Sequence, residues 1–399
     1  LTEVIGQCLV SPGNMTQSFF SEFSHRSILP AYWRSETAAL ARMEPRLFRP
    51  WIGGICMRTL SAEPRLFVFY LVPDFTMMAF SSAVEALRMA NAVLGYEAYA
   101  WRVATVDGGK VRASCGLTLE ADSSVAVERQ HLATLQRPFM ALVCGGKHIH
   151  RHVDRAAEAW LRECRHRGVA VGSLCTGTHI LARAGLLNEK KCAIHWENIP
   201  GFVEQFGGAS VNTGIYEVDG NIFTCAGGAT SFDMILHIIQ HDVGEDIVSS
   251  ICELALVDRV RGPGERQRLP FAQRVGVQDQ TVLMLVEKME RSLTEPMQID
   301  ELTASVGLSR RQIERIFRTE LRCSPARYYL KLRLERAQHL LVQTSIPVVE
   351  VAIACGFVSA SHFSKCYRET YGCSPQETRN RSTLNARMRA PLPECASAA

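Results

Sequence analysis

The rhythm of apolar and polar positions changes along the chain, and each rhythm predicts a different structure. From Arg65 onward apolar residues come in short runs: Leu66 to Val72 is unbroken, and Trp101 to Val106, Met140 to Cys144, Val169 to Leu174 and Cys192 to His195 are further strand candidates. Runs of this length, bounded by turn residues such as Pro73-Asp74, suit strands buried on both faces of a parallel sheet. Between them apolar positions return at helical spacing over Met77 to Leu94, Asp154 to Arg167 and Thr178 to Leu187. A hairpin is expected from Ser210 to Cys225, turning at Asp219-Gly220, followed by helices Thr230 to His241 and Glu245 to Arg259. The alternation predicts a layered α/β domain over residues 63–260 with helices on both faces of the sheet.

Arg261 to Arg268 combines glycine, proline and charge without apolar period, which predicts a linker over residues 261–279. Beyond the leading helix Gln280 to Glu290, one pattern occurs twice. The first copy runs from Asp300-Glu301-Leu302 through Gly307, Ile313 and Phe317 to Cys323-Ser324-Pro325. The second runs from Val349-Glu350-Val351 through Gly356, Phe363 and Tyr367 to Cys373-Ser374-Pro375. The glycines are 356−307 = 49 residues apart and the prolines 375−325 = 50, so the second copy has one residue inserted after its glycine. A short apolar-periodic segment, a glycine and a longer helical segment make a helix-turn-helix, so an all-α double helix-turn-helix domain is expected over residues 280–382.

Residues 383–399 are expected to be a disordered tail. Residues 1–62 mix apolar, aromatic, Ser, Pro and Arg positions without sustained period and receive no fold. The chain begins with Leu, and Met57 stands just before the first convincing strand, so the native start is expected downstream of residue 1.

A length of 399 residues suits two or three domains, and 47% hydrophobic with 21% charged residues suits a globular protein. No uninterrupted apolar run is long enough to span a bilayer. The 14 cysteines include no C-x-x-C pair, which argues against a zinc ribbon or thioredoxin-like motif and for free thiols in a reducing cytoplasm. No secretory signal pattern opens the chain, so a cytoplasmic location is expected. The formal charge is only +4 overall, yet residues 297–381 hold 13 Lys+Arg against 8 Asp+Glu, a local +5. The basic excess therefore sits in the repeated module, as a phosphate-binding surface requires. Arg310, Arg311, Glu314, Arg315 and Arg318 share the outward face of its first long helix; Ser361, His362, Lys365 and Arg368 share that of the second.

In the α/β region, Gly145-Gly146, Cys175-Thr176-Gly177 and His195-Trp196 follow strand candidates, at the sheet edge where open α/β proteins bind ligands. Cys175 stands where a strand turns into a helix, whose N-terminal partial charge is expected to lower the thiol pKa; His195 would be its base if the fold brings the two together. His148, His150 and His152 alternate as metal ligands on an extended strand would, but without an acidic or cysteine neighbour a solvated basic loop and no metal are expected. Trp196 and Phe75 are either part of an aromatic cage for a quaternary ammonium or, as is commoner, core packing.

Gly307-Leu308-Ser309, Cys323-Ser324-Pro325-Ala326-Arg327-Tyr328, Leu332-Arg333-Leu334-Glu335-Arg336-Ala337 and Gly356-Phe357 through Tyr367-Arg368 closely resemble the AraC-type DNA-binding domain over the last quarter of the chain. That resemblance implies base or phosphate contacts with double-stranded DNA by Arg311, Glu314, Arg315, Ser361, His362 and Lys365. Ala141 to Gly146, Gly172 to Gly177, Ala182 to Leu187 and His195-Trp196 are similar to the DJ-1/PfpI superfamily, implying a flavodoxin-like α/β fold from Arg65 to Arg259. The fusion resembles GlxA-type regulators, and Ser82 to Asn91 looks most like those responding to glycine betaine, carnitine and related amines. DJ-1/PfpI enzymes place a glutamate beside the cysteine, where this chain has Thr76. The resemblance therefore implies a catalytically inactive sensor that binds a small-molecule effector near Gly145, Gly146, Cys175, Thr176, His195 and Trp196, with no catalytic residue and no cofactor. It further implies an activator working with RNA polymerase; the two helices after the hairpin either pack a homodimer, as in similar sensors, or simply cover the sheet. The rival expectation is a thiol-dependent hydrolase, amidase or glyoxalase-like enzyme using Cys175 and His195.

Overall fold

The computed structural model describes residues 63–387, with side chains described through Arg381. The readings for residues 1–62, including the start at Met57, and for residues 388–399 lie outside the described residues.

The first domain holds the strands β1 (Arg65–Leu71), β2 (Tyr99–Thr105), β3 (Val111–Arg112), β4 (Thr118–Leu119), β5 (Ser123–Ser124), β6 (Met140–Cys144), β7 (Ala170–Leu174), β8 (Lys191–Ala193), β9 (Ser210–Asn212), β10 (Tyr216–Asp219) and β11 (Ile222–Cys225). Its helices are α1 (Met77–Leu94), α2 (Val125–His131), α3 (Arg155–His166), α4 (Thr178–Arg183), α5 (Ile199–Gln205), α6 (Thr230–Val243) and α7 (Glu245–Ala255). The main sheet has the order β10-β11-β7-β6-β1-β2-β5 and is parallel except for the β10–β11 hairpin. In β1, Phe67, Phe69 and Leu71 face one core with α1, α6 and α7, while Val68 and Tyr70 face the other with α3 and α4. This two-sided burial is why β1 reads as a continuous apolar run.

One expected strand lies elsewhere. Residues 192–195 do not join the main sheet; β8 pairs in parallel with β9, and the hairpin is correspondingly shorter, from Tyr216 to Cys225. Side chains supply acceptors that a ladder would have supplied: Ala193 N donates to Thr224 Oγ1 at 2.8 Å and Lys191 N to Asp219 Oδ2 at 3.0 Å. Cys192, Ala193 and Ile194 are fully buried, so their composition imitates a central strand.

The second domain is helical: α8 (Phe271–Val275), α9 (Gln280–Arg291), α10 (Ile299–Ala304), α11 (Arg310–Leu321), α12 (Pro325–Gln343), α13 (Val348–Ala354), α14 (Ala360–Tyr371) and α15 (Pro375–Arg387). The expected linker is shorter than 261–279. Val277 is buried and Phe271 packs beside it in the core of the first helix-turn-helix, so the helical domain begins near Phe271. The expected tail is also shorter, because α15 continues to Arg387.

The internal repeat is present in three dimensions. Ile313 and Phe317 on α11 have Phe363 and Tyr367 on α14 as counterparts, all buried. Ser309 and Ser359 accept backbone N–H bonds at the starts of these helices, from Gln312 N and His362 N. The turn glycines adopt left-handed φ values of +68° at Gly307 and +73° at Gly356. Their surroundings differ: a Cβ at Gly307 would meet nothing within 4 Å, whereas one at Gly356 would stand 2.5 Å from the Pro296 ring and 2.8 Å from Leu293 O. Gly307→Ala therefore costs only the left-handed penalty, about 1–2 kcal/mol, and Gly356→Ala adds about 1–3 kcal/mol of overpacking. Urea unfolding of the two variants followed by circular dichroism checks this order; equal losses would contradict it.

Candidate functional site

The strand order reverses between β1 and β6, and the loops leaving those strands are bound together at that edge: Thr76 N donates to Gly145 O at 3.0 Å and Lys147 N to Asp74 O at 3.2 Å. Cys175 stands one strand further on, directly after β7, with φ +59°, the strained backbone expected of the elbow. Glycines let the loops close around it. A Cβ on Gly145 would stand 2.3 Å from Gly177 N, one on Gly146 1.9 Å from Asp74 O, and one on Gly227 2.5 Å from Cys175 Cβ. Thr176 Oγ1 donates to Gly146 O at 2.7 Å. Gly145, Gly146, Cys175 and Thr176 thus come together as the sequence suggested, in close-packed backbone.

The thiol departs from expectation. Thr76 Oγ1 donates to Cys175 Sγ at 3.5 Å, so threonine does occupy the place of the acid, and this bond lowers the thiol pKa. Burial outweighs it and pushes Cys175 up to about 11. The anticipated helix-terminus effect does not prevail, because a 3-10 turn over Cys175–Gly177 separates the thiol from α4 and its side chain is nearly solvent-free. No hydrogen bond joins Cys175 to His195 among the described residues. The charged neighbour of His195 is Glu197, whose Oε2 lies 3.9 Å from Nδ1, and burial holds the imidazole pKa below its ordinary value.

Two other readings change. Phe75 is fully buried with its ring edge-on to Phe80 at 5.9 Å, so it is core and not a cage wall. His148, His150 and His152 are half-buried rather than solvated; desolvation pushes His150 down to about 4, with the Arg151 charge adding to it. Among the described residues no group of three His, Cys, Asp or Glu side chains is arranged to hold a metal ion. A cavity of about 600 Å³ opens between α1, α6 and the residues after α7, lined by Ser82, Glu85, Met89, Phe232 and Asp258 among others. None of the expected effector residues lines it.

His195 and Trp196 lie on the segment that meets the helical domain. The Arg268 guanidinium sits 4.0 Å from the centre of the Trp196 ring, and His339 on α12 meets that ring edge-on at 6.1 Å. Arg336 Nη2 donates to Glu204 Oε1 at 2.9 Å, and a Cβ on Gly201 would stand 2.8 Å from the Thr344 methyl. The linker is tied to the same region: Gln267 Nε2 donates to Ile194 O at 3.0 Å and Gly214 O at 2.8 Å, and Arg261 pairs with the buried Asp233 at 2.7 Å. Glu197, Glu204 and His339 were not singled out from the sequence, and Arg268 and Arg336 entered only as part of the linker and of the connector motif, with no contact assigned to them; only the proximity of Glu197 to His195-Trp196 gave a signal.

On the outer face of α11, Arg311 and Arg315 are exposed, with no carboxylate within 4 Å among the described residues. Glu314 pairs with Arg310 at 3.6 Å and Arg318 at 3.8 Å, one turn to either side. On α14, Ser361 and Lys365 are exposed, while the His362 ring leans towards Phe357 with Nε2 3.3 Å from Cys366 Sγ.

Residues 302–381 match the helix-turn-helix domain family and residues 66–241 the DJ-1/PfpI family. Over 324 residues the chain is 41% identical to the HTH-type transcriptional regulator GbdR of Pseudomonas aeruginosa, covering 81% of this chain and 86% of that one. It is 37% identical over 313 residues to the HTH-type transcriptional regulator CdhR of the same species, covering 78% and 91%. To the HTH-type transcriptional regulator GlxA of Rhizobium meliloti it is 31% identical over 316 residues, covering 79% and 95%. The chain belongs to the AraC-type transcriptional regulators that carry a DJ-1/PfpI domain. As such it is an effector-controlled DNA-binding protein and not an enzyme. Among the described residues no helix is long and apolar enough to cross a membrane.

The elevated thiol pKa gives this regulator a checkable property. At pH 7 Cys175 is protonated and enclosed, so iodoacetamide labels the exposed Cys115 well before it, and the Cys175 rate keeps climbing as the pH approaches about 11. The ordinary thiol value is 9.0. The bound proton therefore contributes stability that is fully present below about pH 9 and is lost as the pH rises through about 11. Peptide mapping of labelled protein across this range reads both cysteines; a Cys175 rate that levels off by pH 8 would show a stabilised thiolate and bring back the enzymatic reading.

Proposed function

We propose that this regulator is a cytoplasmic activator whose effector, a small amine metabolite of the glycine betaine or carnitine type, enters beside Cys175, Thr176, His195 and Trp196. One observation carries the reading: the segment 193–205 is tied beside the Cys175 turn at one end, where Thr178 Oγ1 donates to Ala193 O at 2.9 Å, and holds α12, the helix joining the two helix-turn-helices, at the other. A ligand that fits one placement of this segment better than another shifts the regulator by that difference in affinity. The cavity beside α1 and α6 favours a second reading, in which the effector binds there against Glu85, Phe232 and Asp258.

Thermal-shift screening of the full chain with glycine betaine, dimethylglycine, carnitine and basic amino acids tests both. A ligand at about 100 times its Kd stabilises by about 2.7 kcal/mol. Loss of that shift in His195→Ala supports the strand-edge site; loss in Phe232→Ala with retention in His195→Ala moves the effector to the cavity. No shift with any of these ligands removes the amine reading.

On DNA, Arg311 and Arg315 from α11 and Ser361, His362 and Lys365 from α14 would enter successive major grooves, with Glu314 holding Arg310 and Arg318 rather than reading a base. The guanidinium of Arg315 matches the two acceptors of guanine, and no internal ion pair has to be broken first. Arg315→Ala is expected to weaken specific binding by about 1–3 kcal/mol and relax base preference at one position, measured by gel shift on a panel of operator variants. Equal weakening on every sequence would make Arg315 a phosphate contact. Recruitment of RNA polymerase completes the activator reading, and exposed Leu254 and Leu256 at the end of α7 support a homodimer formed through α6 and α7.

A further inference from the structure

Trp196 is an aromatic face already covered by a cation. Its indole is half-buried, and the Arg268 guanidinium lies over it at 4.0 Å, within the range where ring quadrupole and charge attract. Arg268 is poorly anchored by comparison with its neighbours in the linker. Arg261 holds Asp233 through both its backbone and its guanidinium, and Arg259 pairs with Glu265, but no carboxylate lies within 4 Å of Arg268 among the described residues. Arg268 is exposed at the surface and the chain leaves it through the exposed Leu269 and Pro270, while Gln267 on its other side stays tied to Ile194 O and Gly214 O.

The rest of the surroundings suits a positive ligand. The Glu197 carboxylate follows Trp196 directly, lies 3.9 Å from His195, and is itself about half exposed. The two imidazoles beside the ring, His195 and His339, are both held below their ordinary pKa by desolvation, so at neutral pH neither repels a cation. The linker thus places on Trp196 a charged group of the size and shape of a small organic cation, held by stacking with no ion pair to break.

We propose that the Trp196 face, together with Glu197, is a binding site for a small organic cation, and that Arg268 is its tethered intramolecular occupant, displaced when the cation binds. The displacement frees the linker at Arg268 and uncovers the ring against which His339 of α12 rests, so occupancy is transmitted to the helical domain through one side chain. The effective affinity of a free cation is reduced by the fraction of molecules in which Arg268 holds the ring, and removing the arginine restores it. This rests on the proposed function, which it deepens by giving the charge of the ligand and the step by which it acts.

The test is isothermal titration calorimetry on the full chain with tetramethylammonium chloride, exchanged for sodium chloride at constant ionic strength. Arg268→Gln should bind tetramethylammonium about 3- to 10-fold more tightly than the parent, Trp196→Ala should lose binding, and Trp196→Phe should retain part of it. Choline should bind the parent and Arg268→Gln more tightly than its neutral isostere 3,3-dimethylbutanol does. Unchanged affinity in Arg268→Gln, binding by Trp196→Ala equal to the parent, or equal binding of the neutral compound would each overturn the proposal; circular dichroism of the variants excludes misfolding, and Trp196→Phe carries the test if Trp196→Ala does not fold. DNA affinity measured with and without the cation separates this from the reading beneath it. Competition with Arg268 that leaves DNA binding unmoved upholds the cation site and defeats the control pathway, whereas an effector response that survives in Trp196→Phe and Trp196→Ala alike upholds control and defeats the cation site.

Discussion

The structure depends on one helix with three partners. α12 contributes Tyr328 and Tyr329 to the core of the first helix-turn-helix and Leu334, Ala337, Leu340 and Leu341 to that of the second. Further along, Arg336, His339 and Gln343 lie against residues 196–205 of the α/β domain. An amphipathic helix with a single partner has one apolar stripe; here the side of α12 that is apolar at Tyr328 and Tyr329 turns polar at Arg336, His339 and Gln343, while Leu334, Ala337, Leu340 and Leu341 line the other. Displacing α12 from the α/β domain therefore disturbs only a salt bridge, a ring contact and a close methyl approach, while displacing it from either helix-turn-helix would open a hydrophobic core. The polar contact is the one suited to exchange, because the charges of the partly buried Arg336–Glu204 pair regain water when they part, whereas a parted hydrophobic core does not.

What the sequence disclosed follows from which signals are local. β6 was expected at the residues it occupies because its five residues are fully buried and bounded by Arg137-Pro138 and Gly145-Gly146. The two turns at Gly307 and Gly356 were legible because a left-handed residue leaves a glycine, and because their flanking apolar residues recur in the same order. The placement of β8 was not legible, since its acceptors are the Thr224 and Asp219 side chains, some thirty residues away. Nor was the start of the helical domain, because Phe271 and Val277 stand in a short segment broken by Pro270 and Gly276, and a five-residue helix has no period to read.

At the site the division is sharper. The strand-to-helix turn at Cys175 was identifiable because it follows a strand candidate, and Thr76 because the DJ-1/PfpI resemblance places an acid at that position. The thiol's ionisation was not, because it is decided by how completely the loops close, and that depends on glycines from three separate segments. Arg268 on Trp196 was equally hidden: a linker arginine and a tryptophan 72 residues earlier have no common pattern until the chain is folded.

The junction between the two helix-turn-helices has a consequence for the DNA. Arg333 on α12 donates to Cys355 O at 2.8 Å and Gly356 O at 2.6 Å while stacking on Phe357, and Gly356 in turn packs against Leu293 and Pro296 of the first unit. The two recognition helices are therefore parts of one rigid gauge. With both helices on the duplex as proposed, inserting one base pair between the two contacted segments would turn one of them by about 35° around the duplex axis, against these contacts. The mismatch would then fall partly on the duplex, and the stiffness of bases that no side chain touches would enter what the regulator reads.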